Sequence, residues 1–361
     1  MRRPFYFAVP LAAILGTALA DETFVPRAPL GLDQAALDKA LQQEPLTKAK
    51  VELGKQLYFD GRLSKDGTVS CASCHAPDHG FGDPGKFSKG VGGKLGGRHA
   101  PTVLNRVFGR LQFWDGRAAT LEQQALGPIE NPVEMAGNLD EAVKWLNQTE
   151  GYRKQFEQVF GGPATKDRIA KAIASFERTV LNGNSRVDLD EEAERWKKAD
   201  QDELTAEQKT KAKAAIEAAA KAPLGDSERR GKALFFGKAN CSLCHTGHNY
   251  TDEEFHNLGV GSDAREPDAG LAAVSKSDKD WGKFKTPTTR GLVGREPYMH
   301  DGSEATLEAV VDYYDRGGNK NKNLSDRMKP LGLSTQEKAD LVAFLKALSG
   351  ETTMVEKPKL P

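Results

Sequence analysis

Cys71-Ala72-Ser73-Cys74-His75 recurs later in the chain as Cys241-Ser242-Leu243-Cys244-His245, and these two pentapeptides hold all 4 cysteines of the 361 residues. C-x-x-C-H is the attachment signal of c-type haem, in which two thiols bond to the porphyrin vinyl groups and the adjacent histidine reaches the iron. Other uses of a C-x-x-C pair fit poorly. A zinc ribbon needs four converging ligands, and neither a thioredoxin-like pattern nor a zinc-finger histidine spacing surrounds either pair. The motifs predict two covalently attached haem c groups, held by Cys71, Cys74, Cys241 and Cys244, with His75 and His245 as proximal iron ligands.

The N-terminus predicts export, to a compartment where c-type haem is attached. Arg2 and Arg3 precede an apolar run from Phe5 to Leu15, and Ala18-Leu19-Ala20 before Asp21 has the form of a cleavage site, so residues 1–20 read as a signal peptide. The expected location is the periplasm. The run is too short to span a bilayer and nothing later is apolar enough. Its removal leaves 49 basic against 51 acidic residues, a formal charge of −2, which argues against a nucleic-acid partner. Glycine and proline make 54 of the 361 residues, compatible with long loops around haem.

The chain also repeats itself with a long period. Gly54-Lys55-Gln56-Leu57-Tyr58-Phe59 recurs as Gly231-Lys232-Ala233-Leu234-Phe235-Phe236, and Pro101-Thr102 as Pro287-Thr288. Asp115-Gly116-Arg117-Ala118-Ala119-Thr120-Leu121-Glu122 recurs as Asp301-Gly302-Ser303-Glu304-Ala305-Thr306-Leu307-Glu308, with a spacing of 14 from the proline in both copies. Each copy closes on an apolar helical stripe, Ile169, Ile173, Phe176 and Val180 in one and Leu341, Phe344, Leu345 and Leu348 in the other. Both stripes read as core packed over haem.

No strand pattern of alternating apolar residues persists. The expected fold is mainly α, two cytochrome c-type haem domains with long loops, related by duplication. Residues 21–184 form the first domain and 227–361 the second. Residues 185–226, rich in Lys, Glu, Asp and Ala, read as a charged helical linker with solvated faces, including the acidic run near Asp190 and the Lys-Ala tract at 209–221.

The repeat also addresses what lies opposite each proximal histidine. Trp114 and His300 each precede the repeated Asp-Gly, and 14 residues further on stand Pro128 and Tyr314. Proline has no side-chain donor atom, whereas a tyrosine oxygen binds iron. If that position is distal, one haem is open and the other closed.

These residues carry a resemblance. The chain is similar to the bacterial di-haem cytochrome c peroxidase family over essentially the whole mature sequence, through the two C-x-x-C-H motifs, Gln112-Phe113-Trp114-Asp115-Gly116-Arg117-Ala118, Asn131-Pro132-Val133-Glu134-Met135, Lys285-Thr286-Pro287-Thr288 and Pro297-Tyr298-Met299-His300-Asp301-Gly302. Ordinary members place a methionine ligand at the position of Tyr314, and tyrosine there marks the MauG-like branch. Members often carry a blocking distal histidine sixteen residues after the first proximal one, where this chain has Val91. The resemblance implies that Gln124 and Glu134 line the first distal pocket, that Trp114 lies between the haems, and that the substrate is hydrogen peroxide. The product implied is long-range oxidation of a partner protein's residue. The rival is peroxide detoxification with electrons from a small electron-donor protein, which needs a ligand such as Met299 or Met328 at the second iron.

Taken alone, Glu134 reads as a helix-terminal acid and Trp114 as core; the motif context favours pocket roles. The chain departs from the pattern at two places. Ala239 stands where MauG has a surface tryptophan that relays holes to its substrate. His99 stands where the family's interdomain calcium takes an asparagine, alongside carbonyls matching Arg295 and Pro297; calcium prefers oxygen ligands, which speaks against the ion. His79 reads as a pocket-edge or surface residue, His248 as a loop residue, and His256 and His300 as hydrogen-bonding groups in the haem surroundings. The Gly90–Gly97 stretch lacks the strand-to-helix context of a phosphate loop.

Overall fold

Two helix pairs, built alike, organise the molecule. The computed structural model describes residues 23–361, so the expected signal peptide lies outside the described residues. Its helices are α1 (Gln34–Leu41), α2 (Lys48–Phe59), α3 (Cys71–Cys74), α4 (Leu121–Glu130), α5 (Leu139–Gln148), α6 (Glu150–Phe160), α7 (Lys166–Glu177), α8 (Arg186–Lys198), α9 (Ala206–Lys221), α10 (Asp226–Phe236), α11 (Ala272–Ser275), α12 (Leu307–Asp315) and α13 (Thr335–Ala347). Strands among the described residues are two residues long and pair antiparallel: β1 (Thr23–Phe24) with β2 (Leu46–Thr47), β3 (Asn182–Gly183) with β6 (Glu351–Thr352), and β4 (Phe255–His256) with β5 (Phe284–Lys285). The mainly α expectation holds.

In the first pair α2 packs on α7, and in the second α10 packs on α13. A Cβ on Gly54 would stand 1.8 Å from the Ala172 carbonyl oxygen, and one on Gly231 would stand 1.9 Å from that of Asp340. Only glycine allows backbones to approach so closely. One turn further on, Tyr58 meets Phe176 edge-on at 4.9 Å and Phe235 meets Phe344 at 5.2 Å, an aromatic geometry that adds to the area buried. The predicted stripes are therefore the inner faces of α7 and α13, with Ile173, Phe176, Phe344 and Leu348 all buried.

The duplication extends to backbone conformation. Asn105 and Gly291, Phe113 and Met299, and Gly116 and Gly302 all take positive φ at matching places, and the bridge Gln112–Ala118 is matched by Tyr298–Glu304. Thr120 and Thr306 then cap α4 and α12, each hydroxyl accepting from the N–H three residues on, at Gln123 and Ala309. Residues 128 and 314 thus fall on the same turn of equivalent helices. One buried cluster centres on Leu53, Leu57, Ile129, Phe156 and Ile173, a second on Val187, Phe235, Val311, Leu341 and Phe344. A smaller third joins Leu37, Leu41 and Leu46 to Val107 and Leu181.

The segment expected to be a solvated linker folds differently at its acidic start. Asp188 on α8 is buried and forms a bidentate ion pair with Arg290 at 2.8 and 2.9 Å, and Asp190 pairs with Arg229 at 3.0 Å. These acids have cationic partners further along the chain, a relation that local charge composition does not display. On α9 only Ala212 is buried, as the Lys-Ala tract predicts. The end of the chain also returns to the first half: β6 pairs with β3, Arg62 donates to the Pro361 carbonyl, and Val355 packs on the first core.

Candidate functional site

A single cavity of about 600 Å³ reaches from one C-x-x-C-H motif to the other, lined by Cys74 and His75 at one motif and by Cys241, Cys244 and His245 at the other. Trp114, Gln124, Pro128, Glu134 and Tyr314 line the same space. Cys71 is half-buried one helical turn before Cys74 on α3.

The donor set suits covalently held haem. Burial lowers the pKa of both His75 and His245, keeping the imidazoles neutral as iron ligation requires. His245 Nδ1 lies 3.1 Å from the Tyr250 carbonyl, a contact that orients the ring and would leave Nε2 free for an iron. Tyr58 donates its hydroxyl to the His75 carbonyl at 2.8 Å, tying α2 to the first motif. Burial pushes the Cys74 thiol up to about 11 and the Cys241 thiol up to about 12, and raises Cys71 as well. Burial would raise Cys244 too, but hydrogen bonds from His256 and Arg327 outweigh it and lower that thiol. Cys244, Asp252 and His256 come within 4.8 Å of one another, a metal-like cluster whose sulfur belongs to the attachment motif. Buried Arg295 Nε and Ser88 Oγ find no hydrogen-bond partner within the protein, and both residues line the cavity. Such orphans suit a large polar-edged group in the cavity.

On the first side, Glu134 follows α4 in a loop seated on the glycine-rich stretch. A Cβ on Gly90 would stand 2.2 Å from the Val133 carbonyl oxygen and 2.5 Å from that of Glu134. Val91 N–H donates to the Glu134 carbonyl at 2.8 Å, so the place of the family's distal histidine is used here to position an acid. Burial raises the Glu134 carboxyl; Arg117 and a 2.6 Å hydrogen bond from Asn131 Nδ2 pull it back only in part. Between the motifs, Trp114 Nε1 donates to the His99 carbonyl at 2.8 Å, and its ring lies edge-on to His300 at 6.4 Å. His300 stacks on Phe284 at 3.5 Å, and burial takes its imidazole down to about 4. Arg98 clamps the arrangement, bonding Asp115 at 2.7 Å and Asp268 at 2.6 Å.

The folded chain therefore brings these residues round one cavity, although they are distant in sequence. His79 pairs with Asp78 away from it, and His248 sits edge-on to Phe108 in the turn after His245. His256 bonds Asp252 at 2.9 Å. Ala239 is buried, its carbonyl facing Cys241. Residue-by-residue reasoning missed Arg98 and Glu177, gave Arg295 only a backbone carbonyl, and weighed Gly90 only as part of a phosphate loop. Of the two missed, only Glu177 left a trace, since matching Phe176 to Phe344 pairs it with Leu345.

The di-haem cytochrome c peroxidase model matches residues 48–195 and the cytochrome c model residues 228–349. Over 319 residues the chain is 39% identical to methylamine utilization protein MauG of Methylorubrum extorquens, covering 88% of this chain and 83% of that one. The chain belongs to the di-haem cytochrome c peroxidase family. It is also 37% identical to the cytochrome-c peroxidase IdrP1 of a Pseudomonas species, over 89% of this chain and 86% of the other. A MauG-like protein associated with microbial copper homeostasis superposes with a TM-score of 0.72 at 31% identity, covering 86% of this chain and 91% of that one. As a family member the chain is a haem-dependent oxidoreductase of peroxidase type with two haem c groups. No helix among the described residues is long and apolar enough to cross a membrane.

Proposed function

We propose that this is a periplasmic, MauG-like peroxidase that reduces hydrogen peroxide at the His75 haem and spends the oxidising equivalents on a residue of a partner protein. The observation that carries this is the asymmetry of two equivalent helical positions lining one cavity, Pro128 in α4 and Tyr314 in α12. Proline offers the first iron nothing, whereas a phenolic oxygen at the second favours higher oxidation states than a thioether does.

When bound, the haems supply iron that accepts peroxide and stores oxidising equivalents. Cys71, Cys74, Cys241 and Cys244 would hold them, and His75, His245 and Tyr314 would serve as iron ligands. Glu134, whose carboxyl is raised by burial, would take a proton from hydrogen peroxide and return one to the oxygen that leaves. Gln124 orients the peroxide, and Trp114 lies on the route between the halves beside His300. Calcium has no part in this scheme, because His99 turns a ring nitrogen to the Gly85 carbonyl and its own carbonyl is taken by Trp114.

A second reading, peroxide detoxification fed by a small electron-donor protein, is favoured by Met299 and Met328, which line the same cavity as Tyr314. Electron paramagnetic resonance and optical spectra of the ferric protein beside Tyr314→Met and Tyr314→Phe separate the two. One high-spin and one low-spin haem are expected, the low-spin signal changing in both variants. An unchanged low-spin signal removes Tyr314 as ligand and puts the second reading first.

A further inference from the structure

Glu177 ends α7 with its side chain in the cavity, 5% exposed, and its Oε2 has no hydrogen-bond partner within the protein. Its counterpart Leu345 also lines the cavity. A carboxyl group thus stands in the His75 half where an aliphatic side chain stands in the other.

The groups facing it leave it unpaired. Tyr58 of α2 spends its hydroxyl on the His75 carbonyl, and Cys71 of α3 is an attachment thiol. From α4, Glu122 is engaged by Arg178 at 2.6 Å. Arg106, on the loop before α4, is engaged by Glu253 at 2.7 Å and Gln112 at 2.9 Å. An unpaired buried carboxylate is costly, so the neutral acid is favoured, and burial pushes this carboxyl up to about 8.

We propose that Glu177 is the proton-exchanging partner of the first haem, releasing its proton when that haem is oxidised and recovering it on reduction. This rests on the haem-binding part of the proposed function and not on the ligation of Tyr314. In oxidation one electron passes from the iron to an external one-electron acceptor and one proton from Glu177 to water; a one-electron donor reverses both. The buried site then keeps its net charge, so the apolar cavity holds an oxidising equivalent without an uncompensated ion. Glu177 touches no peroxide in this scheme and acts as a tuning residue through the haem.

The test is a spectroelectrochemical titration of the holoprotein with one-electron mediators, following each haem separately. In the wild type the first haem's potential should fall as pH rises through the neutral and mildly alkaline range, by up to about 59 mV per pH unit, one proton per electron. Glu177→Gln and Glu177→Leu should flatten that slope and leave the second haem unaltered; the leucine is the residue the repeat itself uses. The oxidised-minus-reduced infrared spectrum should carry a protonated carboxyl band that Glu177→Gln abolishes. A pH-independent wild-type potential, or a slope that survives both substitutions, overturns the proposal. Failure of the Tyr314 assignment would instead show only at the second haem, as a low-spin signal left unchanged by the Tyr314 substitutions.

Discussion

Glu134 is an acid whose usefulness depends on a balance between burial and two cations or dipoles. Burial raises its carboxyl, while Arg117 and the Asn131 amide stabilise the charged form. Peroxide activation needs the carboxylate as proton acceptor, so the peroxide reaction should decline as pH falls through a range above that of an ordinary glutamate. Asn131→Ala removes a stabiliser of the charged form and should move that acid limb to still higher pH. Glu134→Gln should slow the step by about 100-fold or more, the usual worth of a positioned acid-base group. Stopped-flow absorbance of the first haem across pH measures both; an acid limb unmoved by Asn131→Ala would show that the amide does not tune the carboxyl. The covalent motifs were legible at this scale because thioether chemistry dictates residue type and spacing. Glu134 was legible only through resemblance, and Gly90 not at all, since what it answers to is a carbonyl 2.2 Å from an absent Cβ.

At the level of elements, the repeated Gly-Lys-x-Leu-aromatic-Phe was readable as a duplication, but its purpose depends on a partner more than 100 residues away. Gly54 and Gly231 let α2 and α10 press against α7 and α13, and the following aromatic locks each crossing. A methyl group at either glycine meets backbone, which cannot swing aside as a side chain does. Gly54→Ala should therefore cost about 1–3 kcal/mol, the range of overpacked cores. Because Tyr58 on α2 bonds the His75 carbonyl, the same change should disturb the first haem's spectrum and spare the second. Gly231→Ala should do the converse. Denaturant unfolding read at each haem's own absorption checks this, and equal perturbation of both haems by either variant would mean that the two helix pairs are not independent supports.

Across the whole molecule the halves are tied in ways that local composition hides. Arg290, 1% exposed, reaches Asp188 and the Gly31 carbonyl, and the chain end returns to pair with β3. Arg98 joins Asp115, next to Trp114, to Asp268, while Lys285 N–H donates to the Trp114 carbonyl at 2.9 Å. These contacts fix the backbone at Trp114 and Asp115, while the indole Nε1 donates to the His99 carbonyl. If oxidising equivalents travel this way, the readily oxidised indole matters and a phenyl ring of similar shape does not replace it. Trp114→Phe should leave the first haem's initial reaction with peroxide within a few-fold of wild type, yet suppress the later change at the second haem by about 10-fold or more, the effect of raising the intervening barrier by about 1.4 kcal/mol. Rapid-mixing spectra that resolve the high-spin from the low-spin signal decide it. If the second haem responds at its wild-type rate in Trp114→Phe, the equivalents cross by another path, and the His300–Phe284 stack beside the indole is the next place to cut.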